Sequence, residues 1–329
     1  MNLFYWKKIE RDDYMIINSI LLIVGFILLI KGADIMVDGA SGIAENFRVP
    51  KMLIGLTIVA FGTSAPELAV SIKSMLVGSG DIVLGNVIGS NILNILLIIG
   101  CSSMIHSLTV KNNTVKKELP ITMLITTLFA VLLSDSLFDK GITNSFSRAD
   151  GIVVLLFFSV FVYYLISMSR NRAEEDKSEI LSLPKSFIFT ILGIVGIVYG
   201  SNLVVDSATK IATILGVSER IIALTIIALG TSLPELVTSL TATKKGEYDI
   251  AIGNVVGSNI FNIGVVIGIP VAIFGGIGTI TFHYIDLIVM LVAAILLFLF
   301  SFNDYKVTKK EGLLFLFLFI VYYGYIIIG

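Results

Sequence analysis

Long apolar runs separated by short polar stretches dominate the chain, and their length sets the first expectation. A helix that crosses a bilayer needs about 20 mostly apolar residues. Ten stretches fit that pattern: roughly 16–37, 52–77, 82–105, 119–134, 151–169, 186–206, 219–243, 250–274, 283–302 and 311–328. The pattern therefore predicts an all-α membrane protein of ten transmembrane helices. The first run, Ile16 to Ile30, continues past the length of a signal-peptide core with no small-residue cleavage site, so it reads as the first span. Residues 1–14 mix Lys7, Lys8 and Arg11 with Glu10, Asp12 and Asp13 and form a lead-in to which no function is assigned.

The most polar connection, Arg170 to Lys185, divides the chain in half. Comparing the halves exposes a repeat. Gly62-Thr63-Ser64-Ala65-Pro66-Glu67-Leu68 matches Gly230-Thr231-Ser232-Leu233-Pro234-Glu235-Leu236 at an offset of 168 residues. The same offset aligns Gly32 with Gly200, Asp38 with Asp206, Gly85-Asn86 with Gly253-Asn254, and Gly89-Ser90-Asn91 with Gly257-Ser258-Asn259. Five spans per half is an odd number, so the second half must enter the membrane from the opposite side. The expected organisation is two inverted-topology five-helix repeats: residues 1–169, a charged cytoplasmic linker at 170–185, and residues 186–329. Lys and Arg are more numerous in connections 1–2, 3–4, 5–6, 7–8 and 9–10 than elsewhere, which places those connections in the cytoplasm and both termini outside.

Composition sharpens this reading. Of 329 residues, 56% are hydrophobic and 14% charged, far from the soluble norm of about 45–50% and about 25%. Lipid is thus the expected surrounding. A net charge of −1 offers nothing to nucleic acid or to a polybasic membrane-surface role. The single Cys101 reads as a buried structural thiol, and two histidines without an HExxH pattern lack the ligands of a zinc protease.

The candidate chemistry lies in the duplicated motif. In span two, Thr63, Ser64 and Glu67 fall on one helix face by their spacing, and Thr231, Ser232 and Glu235 repeat this in span seven. A carboxylate at the centre of a membrane helix costs roughly 2.5–3.5 kcal/mol on insertion scales. No Lys or Arg lies in the middle of any span, so metal ions or protons must neutralise Glu67 and Glu235. Carboxylates, hydroxyls and amides without sulfur or imidazole suit the hard cations Ca²⁺ and Na⁺. Pro66 and Pro234 break their helices and free the carbonyls of Gly62 and Gly230, and broken helices at matching positions of two halves point to a transporter's midplane site. Spans three and eight add Ser90 with Asn94 and Ser258 with Asn262, each pair on a common face. Such residues serve equally as interhelical hydrogen bonds, but their symmetry with the glutamates favours ligation. Gly85 with Gly89, and Gly253 with Gly257, are spaced to admit close neighbours. Asp38 and Asp206 read as interfacial or capping carboxylates.

These residues closely resemble the paired repeats of the Ca²⁺/cation antiporter superfamily, in its prokaryotic, archaeal-type Na⁺/Ca²⁺ exchanger branch. The resemblance covers essentially the whole chain. It implies that Glu67 and Glu235 bind Ca²⁺ with oxygens of Thr63 and Thr231. It further implies flanking Na⁺ sites shared by Glu67, Glu235 and Thr231 and completed by Ser64, Ser232, Ser90, Ser258 and the carbonyls of Ala60 and Ala228. The spacing of Asn94 and Asn262 with the two serines of spans three and eight adds these asparagines to the expected Na⁺ ligands. Proton-coupled relatives typically lack the Thr-Ser pair, so GTSAPE and GTSLPE look Na⁺-coupled; K⁺-dependent relatives carry aspartate where Asn262 stands. The expected function is secondary active exchange of Na⁺ for Ca²⁺, with no enzyme activity, no cofactor beyond the transported ions, no obligate protein partner evident, and a monomer compatible with the chain. A Ca²⁺/H⁺ antiporter of the same fold is the nearest alternative. A passive cation channel is another, and an intramembrane aspartyl protease a third, suggested by Gly78-Ser79-Gly80-Asp81 and Tyr248-Asp249. In the protease reading the motif order is reversed and the repeat places Asp81 and Asp249 on opposite faces, so capping of spans three and eight is the simpler account.

Overall fold

The computed structural model describes residues 3–139, 143–170, 181–217, 222, 225–226, 228–278 and 284–328. Most of the linker expected at 170–185, the start of the seventh expected span and the first residue of the ninth lie outside these residues. The chain is a bundle of helices: α1 (Leu3–Phe47), α2 (Lys51–Thr63), α3 (Ala65–Leu76), α4 (Gly80–Ile105), α5 (Leu119–Leu132), α6 (Arg148–Ser169), α7 (Leu183–Ile214), α8 (Leu233–Lys244), α9 (Tyr248–Phe274), α10 (Tyr284–Asp304) and α11 (Lys309–Ile328).

Seven of these are long and apolar enough to cross a membrane singly, and α2 with α3, bent by 45°, forms an eighth if taken as one broken span. Among the described residues that is fewer than the ten expected, and the start of the seventh expected span lies outside them. The fourth expected span is only 14 residues of α-helix, and its extension through Thr114–Glu118 brings in Lys116, Lys117 and Glu118. Two helices also outrun the hydropathy pattern. α1 continues ten residues past the expected end at 37, and α7 continues to Ile214 rather than ending at 206. Hydropathy stops where side chains turn polar, whereas helical hydrogen bonding does not.

Beyond position 37, α1 continues along the start of α7, where a Cβ on Gly42 would collide with the Ser186 hydroxyl oxygen. The two helices run antiparallel, joined along a seam of small residues. A Cβ built on Gly25 would lie 3.0 Å from the Gly200 oxygen, one on Gly32 2.9 Å from the Gly193 oxygen, and one on Gly39 2.5 Å from the Thr190 nitrogen. Backbones approach this closely only when side chains are missing. The seam also obeys the repeat: shifting each partner by 168 turns the Gly25–Gly200 contact into Gly193–Gly32. On α9, Gly253 lies against Gly55, and Gly257 against Leu56 and Ala60, as their spacing suggested. Gly85 and Gly89 meet nothing within 4 Å, and the equivalent stretch 223–228 lies partly outside the described residues.

Contacts between connecting segments fall into two groups. Leu108–Thr109, before α5, pairs antiparallel with Lys306–Val307, between α10 and α11. Asn46 bonds the Leu181 carbonyl, Lys51 pairs with Glu45 and Glu247, Lys111 with Asp249, and Lys245 with Asp34 and Asp38. Burial works against the charge on Lys245, but its hydrogen bonds and attraction to Asp34 and Asp38 outweigh that and hold it above the ordinary lysine range. In the second group, Phe146 bridges to Ile277, and Tyr284 bonds Ser136 and Asn144. No described contact of this kind joins the groups. Asp81 and Asp249 stand in the first turns of α4 and α9, where a carboxylate favours the helix dipole, but neither helix has a side-chain cap. Cys101 is half-buried rather than buried.

Two acids at the same 168-residue offset staple neighbouring helices. The Tyr164 hydroxyl on α6 donates to Glu118, and the Tyr322 hydroxyl on α11 donates to Asp286 on α10 at 2.9 Å. Glu118 is fully buried, and its other oxygen has no partner. Stranding both oxygens costs about 1–3 kcal/mol. Tyr164→Phe is therefore expected to lower the thermal unfolding midpoint of the detergent-purified chain, and an unchanged midpoint would mean that the pair contributes nothing.

Candidate ion-binding site

The bend between α2 and α3 is local chemistry. Pro66 cannot donate a backbone hydrogen bond, so the helix stops at Thr63, and Ser64 takes a non-helical conformation (φ −84°, ψ 5°). Ala65 starts a new helix with Glu67 in its first turn, where a negative charge is favoured. Ser232 repeats this at φ −88°, ψ 3°, between the short helix Ala228–Thr231 and α8. The Gly230 carbonyl accepts the Ser201 hydroxyl at 2.9 Å, so part of the capacity freed by Pro234 is met by α7.

Both glutamates are 1% exposed, and Ser64, three residues before Glu67 in the first half, hydrogen-bonds Glu235 of the second, so the two halves bring the motifs together. Ser64 of the first half donates to Glu235 Oε1 at 2.9 Å, and Ser258 approaches the same oxygen at 3.5 Å. Two asparagines complete the frame. Asn86 donates to the Glu67 carbonyl and to Ser71 at 3.2 and 3.3 Å, while Asn254 donates to the Glu235 carbonyl and to Ser239 at 3.3 and 2.9 Å. In return, Thr63 bonds Asn254 Oδ1 at 3.0 Å, and Thr231 bonds Asn86 Oδ1 at 3.5 Å. Every bond of this frame has its counterpart 168 residues away. The carboxylates break the pattern: Ser64 reaches Glu235, but Ser232 Oγ and both Glu67 oxygens have no partner.

Ser90, Asn94, Ser258 and Asn262 are all at most 3% exposed on α4 and α9. Asn94 and Asn262 each open a π-helical turn, Asn94–Ile99 and Asn262–Ile267, and another, Gly55–Val59, precedes Ala60. Such turns often mark functional sites because the extra residue redirects side chains and loosens carbonyls. Ala60 packs against Gly257, and Ala228 opens its short helix. All predicted site residues thus lie on α2, α3, α4, α8, α9 or the helix before α8, except Ser64 and Ser232, which sit at the two breaks. The frame asparagines Asn86 and Asn254 were visible in the repeat alignment but carried no predicted role; their exact duplication was the available signal.

Six buried oxygens lack any partner here: Glu67 Oε1 and Oε2, Glu235 Oε2, Ser232 Oγ, Asn94 Oδ1 and Asn262 Oδ1. Among the described residues, no Lys, Arg or His forms an ion pair with either glutamate. Buried acceptors left unpaired are costly. Oxygens without basic partners can accept a hard cation or, at the carboxylates, a proton.

Comparison with known proteins agrees with this chemistry. The family described as sodium/calcium exchanger protein matches residues 17–167 and 185–328. The chain is 38% identical over 320 residues to a putative antiporter, CaxA, of Alkalimonas amylolytica, covering 94% of this chain and 98% of that protein. It is 29% identical over 341 residues to the sodium/calcium exchanger MaX1 of Methanosarcina acetivorans, covering 93% and 97%. Among solved structures, the sodium-calcium exchanger NCX_Mj soaked with Na⁺ and Sr²⁺ superposes with a TM-score of 0.81 at 34% identity, covering 93% of this chain and 97% of that one.

Proposed function

The chain belongs to the sodium/calcium exchanger family of multi-pass membrane cation/Ca²⁺ antiporters, and from that premise we propose that it exchanges Na⁺ for Ca²⁺ by alternating access at a midplane site. Glu67 and Glu235 bind Ca²⁺ with Thr63 and Thr231. Na⁺ competes for the same glutamates and Thr231, assisted by Ser64, Ser232, Ser90, Ser258, Asn94, Asn262 and the carbonyls of Ala60 and Ala228. The observation that carries this reading is the pair of 1%-exposed glutamates, one from each half, without a basic partner and amid unpartnered oxygens.

Ten crossings in two inverted repeats, 1–169 and 186–329, form the scaffold. Support comes from the antiparallel α1–α7 seam, from hydrogen bonds that exchange under the 168-residue shift, and from the two groups of connecting segments, which match alternate sides of a ten-crossing chain. The lysine-rich group faces the cytoplasm, including the 170–185 linker, and both termini face outward. α1 and α7 form a gate that slides when the site is filled. Unneutralised carboxylates resist passing the apolar barrier, which couples one ion's movement to the other's return.

Uptake of ⁴⁵Ca²⁺ into Na⁺-loaded proteoliposomes tests this. Uptake is expected when external Na⁺ is removed, and not with equal Na⁺ on both sides. Uptake driven by a pH gradient without Na⁺ would replace the reading with Ca²⁺/H⁺ exchange, and uptake without any counter-ion gradient would make the protein a channel.

A further inference from the structure

Four asparagines sit where α4 meets α9, none more than 2% exposed. Asn91 donates to the Asn259 carbonyl at 3.4 Å, and Asn259 donates to the Asn91 carbonyl at 3.3 Å. With both amide nitrogens committed to backbone, the Oδ1 atoms of Asn91 and Asn259 are left as acceptors. Asn94 then donates to Asn259 Oδ1 at 2.9 Å, and Asn262 donates to Asn91 Oδ1 at 3.1 Å. This chain of bonds has one loose end on each side: Asn94 Oδ1 and Asn262 Oδ1, both buried and unpartnered.

An asparagine side chain is nearly symmetric in shape but opposite in polarity at its two ends. Turning Asn94 over would set its oxygen against Asn259 Oδ1, two acceptors face to face in a buried site. Turning Asn259 as well would cost its bond to the Asn91 carbonyl. The orientation of Asn94 is thus fixed by an unalterable backbone acceptor acting through Asn259, and that of Asn262 by the same logic through Asn91.

We propose that Asn91 and Asn259 are positioning residues that hold the amides of Asn94 and Asn262 oxygen-first toward the bound cation, each half of the chain orienting the ligand of the other. The inference rests on the reading of this site as a cation site. Its consequence is selective: without Asn259, Asn94 is free to present its N–H₂ group, which repels a cation, while Asn262 keeps its orientation. A merely structural asparagine would show no such pairing.

The test is a set of double-mutant cycles read by equilibrium ⁴⁵Ca²⁺ binding to the full chain in detergent. Asn259→Leu is expected to weaken Ca²⁺ binding about tenfold in the wild-type background and less than about twofold when Asn94→Ala is already present. It should retain its full effect beside Asn262→Ala. Asn91→Leu should show the converse, coupling to Asn262 and not to Asn94. Should either leucine variant not fold, the corresponding Asn→Ser variant is read in its place with the same expectation. Equal effects in all backgrounds, or a failure of both leucine and serine variants to fold, would overturn the positioning role. Wild-type protein that binds no Ca²⁺ would overturn the functional reading and this inference with it, whereas wild-type binding with uncoupled variants overturns this inference alone.

Discussion

Glu67→Gln and Glu235→Gln are each expected to reduce Na⁺-driven Ca²⁺ uptake at least about 100-fold, equivalent to about 2.8 kcal/mol of lost ion stabilisation. Glutamine keeps the shape of the side chain and removes the charge. In the same variants, stability without ions should move the other way. A buried carboxylate without donors is costly, and replacing it with a neutral amide relieves that cost. The relief should be larger for Glu67, both of whose oxygens are unpartnered, than for Glu235, which already accepts from Ser64 at 2.9 Å. Thermal unfolding in ion-free buffer should therefore rank Glu67→Gln above Glu235→Gln, and both above wild type, while added Ca²⁺ stabilises wild type alone. A glutamate kept for structure would give the reverse: lower stability and unimpaired uptake.

The second large effect is expected in the glycine seam. A Cβ on Gly193 would lie 2.5 Å from Met36 Cβ, 2.6 Å from the Met36 nitrogen and 2.7 Å from the Gly32 oxygen. Two of these atoms are backbone, so α1 and α7 would have to separate. Overpacking of this kind costs about 1–3 kcal/mol, occasionally more. Gly193→Val should lower the unfolding midpoint by several degrees and cut uptake at least about tenfold, because the proposed gate moves along this contact. Gly324→Val is the control, since a Cβ there meets nothing within 4 Å. Should the two variants behave alike in both assays, the seam is dispensable.

Much of this site could be read before any coordinates. The broken helix followed from Pro66 and Pro234, whose missing donors are a local property of the chain, and the structure places the breaks at Ser64 and Ser232. The close approach at Gly253 and Gly257 followed from spacing. What was not legible depends on partners distant in sequence. Ten residues of α1 beyond position 37 carry Asp38 and Glu45, which no hydropathy pattern counts as membrane helix; they are held by α7 and by Lys245 and Lys51. Asn91 and Asn259 look like ordinary polar residues in a membrane helix until the opposite half supplies the carbonyls they bind, and Asn86 and Asn254 until Thr231 and Thr63 of the opposite half donate to them. At the fourth expected span the α-helix Leu119–Leu132 lies where the apolar run put it, and what hydropathy did not count is its entry through the charged π-turn Thr114–Glu118.

The central claim is that two acids from opposite halves share one travelling cation, and its most direct test is competition at equilibrium. ⁴⁵Ca²⁺ binding to the purified chain, titrated with Na⁺ at constant ionic strength, should show a single class of site from which Na⁺ displaces Ca²⁺ completely, and which either glutamine variant loses. Ca²⁺ that stays bound at saturating Na⁺, or that binds with wild-type affinity after Glu67→Gln, would contradict it.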